Sequence, residues 1–117
     1  MINLKFKGKK VSDNSWTVSE SFEHATPDNV FVGDNRVYPK SVGLFTGLHD
    51  IDGEPVFGGD ILQVNASTLE VDVVIIWNKN DAKFQADRVI GGKFSDITAA
   101  KVSHWKVIGN MFDRNRQ

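Results

Sequence analysis

Apolar and polar residues alternate from the start of the chain. Ile2, Leu4 and Phe6 fall on one side, and Asn3, Lys5 and Lys7 on the other. A period of two predicts a strand with one buried face. Gly8, a polar turn at residues 12–15 and the β-prone run Trp16-Thr17-Val18 complete a predicted hairpin over residues 2–20. Residues 21–40 alternate less regularly. Turn chemistry at residues 24–29 and the short run Val30-Phe31-Val32 predict short strands or a loop over the core. Asp52-Gly53 and Gly58-Gly59-Asp60 read as tight turns, because glycine accepts positive φ without steric cost. A strand follows from Ile61, then a polar turn at residues 65–68. The longest strand covers residues 69–77, with every odd position apolar: Leu69, Val71, Val73, Ile75 and Trp77. Its even positions begin with Glu70 and Asp72 and end with Val74 and Ile76, so the second face is solvated first and covered later. A strand over residues 83–90 ends at Gly91-Gly92. Ser95 is placed to cap a short helix over residues 96–101. A last strand covers residues 105–112, and residues 113–117 form a charged tail expected to fray. Short strands with turns every 8–12 residues or so predict a mainly β fold, a small barrel or sandwich with at most one or two short helices.

The length of 117 residues fits one domain spanning residues 1–117. Eight Phe and three Trp supply the bulk of a core. With no cysteine there is no disulfide framework and no thiolate chemistry. The formal net charge of −1 gives no global attraction to nucleic acid or to an anionic membrane. The longest apolar run, Val73 to Trp77, is far too short to span a bilayer, and the N-terminus has no continuous apolar stretch of the kind a signal peptide carries. The expected compartment is the cytoplasm, with no membrane partner.

Three stretches in order carry a family resemblance. Residues 42–61 contain Thr46-Gly47-Leu48, then Asp50, Asp52-Gly53-Glu54, Val56-Phe57 and Gly59-Asp60-Ile61. Lys5-Phe6-Lys7-Gly8-Lys9 with Trp16 precedes them, and Val107-Ile108-Gly109-Asn110-Met111-Phe112 follows. This arrangement, spread over nearly the whole chain, resembles the YopX family. The resemblance implies a mainly β protein of phages and prophages in bacterial cells, self-associating, with no assigned molecular role and no known catalytic centre. Gly58 departs from the pattern, since many relatives carry Glu there. Physically, the signature reads as turn chemistry: Gly47, Asp52, Gly53, Gly59, Asp60 and Gly109 are the expected fold-setting positions.

Catalytic, cofactor and metal patterns are not found. Asp50, Asp52, Glu54 and Asp60 do not follow a calcium-loop spacing: counting from Asp50, position 6 is Pro55 and position 12 is Ile61. His24, His49 and His104 lack metal-ligand spacing, and neither glycine pair belongs to a phosphate loop. Two binding readings remain. Lys5, Lys7, Lys9 and Lys10 with Trp16 form a basic, aromatic cluster of the kind that holds single-stranded nucleic acid on small barrels; lysines blunting a strand edge are the plainer reading. Val74, Ile76 and Phe112 are the candidate oligomer interface. The cover for Val74 and Ile76 is either residues 94–102 or a second subunit, with Arg114 and Arg116 as further contributors. The leading expectation is a phage accessory protein acting by binding as a homo-oligomer, and the alternative is a nucleic-acid-binding barrel.

Overall fold

A computed structural model describes the backbone of residues 4–66 and 69–113, and the side chains of residues 4–64 and 70–113. Strand makes up 57% of the described residues and helix 7%, so the fold is mainly β. The described residues divide into two compact units, one ending at Phe45 and the other beginning at Thr46.

In the first unit, β1 (Phe6–Lys9) and β2 (Trp16–Ser19) form the N-terminal hairpin. Its turn closes through Lys10 N–H to Ser15 O (2.8 Å), and Asp13 Oδ1 accepts both the N–H and the hydroxyl of Ser15. Residues 21–40 are not a loop: β3 (Phe22–Thr26), β4 (Asn29–Val32) and β5 (Asn35–Val37) form an antiparallel meander. A 3₁₀ turn at Pro39–Ser41 leads into β6 (Gly43–His49), whose Leu44 pairs with Phe6. The Ser41 hydroxyl joins the pieces by accepting from Lys9 N–H (2.8 Å) and donating to Tyr38 O (2.6 Å). Val30, Val32 and Val37 form the core, with Phe6 and Val42 against them. Gly8 is required there, because a Cβ would lie 2.8 Å from Val37 Cγ1.

In the second unit, the rest of β6 precedes β7 (Pro55–Phe57). Then β8 (Asp60–Ala66), β9 (Leu69–Asn78), β10 (Lys83–Arg88), β11 (Lys93–Asp96) and β12 (Lys106–Asn110) build a sheet in the order β11-β10-β9-β8-β12. A one-turn helix, α1 (Ala99–Val102), lies between β11 and β12 in sequence. Leu62, Val73, Ile75 and Ala86 pack with Val56, Val102 and Trp105 in the core. The odd face of β9 is therefore buried at Val73 and Ile75, as alternation requires.

Several expectations are corrected. Leu4 is exposed and lies before β1, while Ile2 falls outside the described residues, as do Ser67, Thr68, Arg114 and Arg116. Trp77 shares the odd face of β9 yet is 52% exposed, because the core ends before it. Residues 93–96 are strand, and the helix is capped by Thr98 Oγ1, accepting from Lys101 N–H, in place of Ser95. Residues 94–102 do not supply the cover for Val74 and Ile76. Phe94, Ile97 and Val102 pack on the opposite face with Val73 and Ile75.

Candidate functional site

The signature region builds its turns as its residue types require. Gly47, Gly53 and Gly59 have φ of 87°, 82° and 92°, where a Cβ is strained. Asp50 is the hub of the β6–β7 turn. Its Oδ1 accepts the N–H groups of Asp52 and Glu54, and its Oδ2 accepts that of Val107, all at 2.9 Å. Burial alone would raise its pKa, but these three donors and the nearby Lys106 outweigh that and hold the carboxyl below its ordinary value. Asp52 meets Lys106 Nζ at 2.6 Å and raises the lysine's pKa.

Asp60 organises the other end of the signature. It is fully buried, accepting Phe57 N–H on Oδ2 (2.8 Å) and Asn110 Nδ2 on Oδ1 (2.9 Å). Gly59 N–H donates to Ile75 O, and Gly59 O accepts Met111 N–H. The turn after β12 is thus fastened to the β7–β8 turn. Asn110 extends the chain of bonds by donating its N–H to Asp113 Oδ2 and accepting Phe112 N–H on Oδ1.

This fastening shapes a groove. The β8–β12 ladder shifts register between Val107 and Gly109. Ile108 is left exposed beside Met111. With Ile61, Val89, Asp72 and Asp113 they line a concavity of about 540 Å³. Ile90, at 90% exposure, lines the adjoining depression with Glu70 and Asp72. An open groove lined by both apolar and acidic residues is suited to gripping a partner's side chains. The sequence reasoning missed Ile108, Met111, Val89 and Ile90. Their only signal was apolar character inside runs read as core strand.

The candidate interface residues Val74, Ile76 and Phe112 are each half-buried. Val74 pairs with Ile61 and Asp87, and Ile76 with Gln85. The N-terminal basic cluster divides. Lys7 Nζ lies 4.9 Å from the Trp16 ring centroid and Lys5 Nζ 5.8 Å from that of Phe45. Lys10 pairs with Asp13 at 3.7 Å. Lys9 is only 5% exposed, so its ammonium is not on the surface that the sequence suggested. Gly109 has no positive φ; its place is set by Asp113 Oδ2, which a Cβ would approach to 3.1 Å.

The other displaced pKa values belong to turns and surface ion pairs. Hydrogen bonds from Ser15 lower Asp13, and those from Lys93 and Lys83 lower Asp96. Among the described residues, no helix is long and apolar enough to cross a membrane. A family model described as YopX protein matches residues 2–116, a range that takes in both compact units. No curated protein matches the chain.

Proposed function

The chain belongs to the YopX family, and from that premise we propose that it is a phage- or prophage-encoded accessory protein acting by binding, as a homo-oligomer, without catalysis. The observation that carries this reading is the groove beside β12, where Ile108, Met111 and Val89 are exposed together around one concavity. Exposed apolar side chains gathered in this way favour protein contact, since covering them removes apolar surface from water. The titratable groups support the same reading: the shifted carboxylates Asp13, Asp50 and Asp96 are engaged in local hydrogen bonds and ion pairs. A second reading, contact with nucleic acid through Lys5 and Lys7, is favoured by the stacking of Lys7 on Trp16.

Light scattering across a wide concentration range tests self-association. A mass that stays at 13.0 kDa throughout refutes the homo-oligomer. Affinity capture from lysogenic cells, compared with an Ile108→Asp/Met111→Asp variant, tests the groove. Partners retained equally by both proteins would remove it from the mechanism.

A further inference from the structure

Residues 22–26 form a strand whose side chains are all exposed, at the edge of the β3-β4-β5 meander. It pairs with β4 on one side. The phase of that ladder fixes which backbone groups are left over. Gly33 N–H donates to Ser21 O (2.8 Å), so Ser21 and Gly33 occupy a hydrogen-bonded position. Such positions alternate in an antiparallel pair, and the next is Glu23 opposite Phe31. The N–H and C=O groups of Phe22 and His24 therefore point away from β4, and among the described residues nothing bonds them. The edges at β5 and β12 are instead closed by the chain itself. Arg36 O accepts Val11 N–H and Tyr38 N–H donates to Lys9 O, while the carboxylates of Asp50 and Asp113 take the N–H groups of Val107 and Asn110.

Charge and side-chain pattern decide what fits the open edge. No Lys or Arg occurs from Val11 to Asn35, whereas Asp13, Glu20, Glu23, Asp28 and Asp34 do. Asp13 is paired with Lys10, and Arg36 on β5 turns its guanidinium to Asp28 O (3.4 Å). Glu20 and Glu23 are in no ion pair among the described residues. So β3 carries negative charge where edge strands are commonly blunted by Lys. On its other face Phe22 stacks on Phe6, with centroids 4.9 Å apart, and remains 40% exposed. A strand added here meets apolar surface at Phe22 and a carboxylate at Glu23, on alternate residues. A second copy is a poor match. Joining two β3 edges through Phe22 and His24 about a two-fold axis sets two copies of Glu23 directly opposite, and opposed like charges destabilise such a pair.

We propose that β3 is a docking edge for an extended basic segment of a partner protein. The segment adds as an antiparallel strand, with apolar residues beside Phe22 and His24 and a Lys or Arg beside Glu23. Its backbone takes up the free groups of Phe22 and His24. The edge belongs to the first unit and the groove beside β12 to the second, so either can fail without the other.

The test uses the full chain and a labelled peptide of about seven residues alternating Lys and Val, close to a typical strand length. It is titrated by fluorescence anisotropy to about millimolar concentration. Saturable binding is expected, with none for a peptide alternating Glu and Val. The lysine opposite Glu23 turns its N–H away from β3, and the flanking valines turn theirs towards it. N-methylation of the valines is therefore expected to abolish binding, and N-methylation of the lysines to leave it. His24→Pro removes an outward N–H at an edge, where proline is tolerated, and is expected to weaken binding about 2- to 12-fold. Glu23→Lys is expected to move the preference to the Glu-Val peptide, which a loss of folding does not produce. The proposal is overturned by no binding of the Lys-Val peptide, by equal binding of the two N-methylated peptides, or by binding unchanged in both His24→Pro and Glu23→Lys. A loss confined to Ile108→Asp/Met111→Asp assigns the peptide to the groove and overturns it too. A dimer that forms without peptide and is lost in His24→Pro gives the edge to a second copy, with the same consequence.

Discussion

Asp50 is the residue whose removal should reveal most about how the signature region holds together. Its two oxygens accept three backbone N–H groups, two within its own turn and one, from Val107, at the start of β12. In Asp50→Ala, water can replace the carboxylate at the amides of the exposed residues Asp52 and Glu54. The part-buried Val107 amide has less access to water. One stranded donor costs about 1–3 kcal/mol, and removal of a charge-assisted acceptor at the turn adds to it, so the expected destabilisation is about 2–4 kcal/mol. That corresponds to a fall in Tm of about 8–16 °C at roughly 4 °C per kcal/mol. Asp50→Asn should cost less, because its carbonyl can still serve Asp52 and Glu54 while its NH₂ opposes Val107 N–H. Acid adds an independent check. The folded pKa of Asp50 lies below its unfolded value of about 3.9. Its stabilisation is therefore fully present above that value and is lost as pH falls through the folded one. Urea unfolding at several pH values is the assay. The gap between wild type and Asp50→Asn should be constant at neutral and mildly acidic pH and should shrink at stronger acidity. A destabilisation below about 0.5 kcal/mol in Asp50→Ala, or a gap that widens in acid, would rule out this role for the carboxylate, since a single stranded donor alone exceeds the first value.

Two further outcomes follow from buried positions. Gly8→Ala drives a Cβ to within 3.0 Å of three Val37 atoms, so overpacking should cost about 1–3 kcal/mol in thermal or chemical unfolding; unchanged stability would mean that the core of the first unit yields freely. Asp60→Asn must turn an NH₂ towards either Phe57 N–H or the Asn110 amide, leaving one buried donor unpaired at about 1–3 kcal/mol. Asn110→Ala, combined with it, should then cost less than the sum of the single changes, and strict additivity would show that the two side chains are not coupled.

Residue pattern was enough to establish the strand-rich class, the N-terminal hairpin, the buried face of β9 at Val73 and Ile75, and the turns at Gly53 and Gly59. These features are local: period-two alternation and positive-φ preference act over a few residues, whatever their neighbours in space. Folding in three dimensions selected which of the alternating residues are truly enclosed. Trp77 obeys the β9 pattern and is still open, because burial depends on what lies opposite and the core stops short of it. Ile108 is exposed because of a register shift against β8, which the run Val107-Ile108-Gly109 does not encode on its own. Lys9 is enclosed although its neighbours Lys5 and Lys7 share its alternation. Lys83 meets Asp96 because β10 pairs with β11, a contact across thirteen residues that alternation alone does not specify.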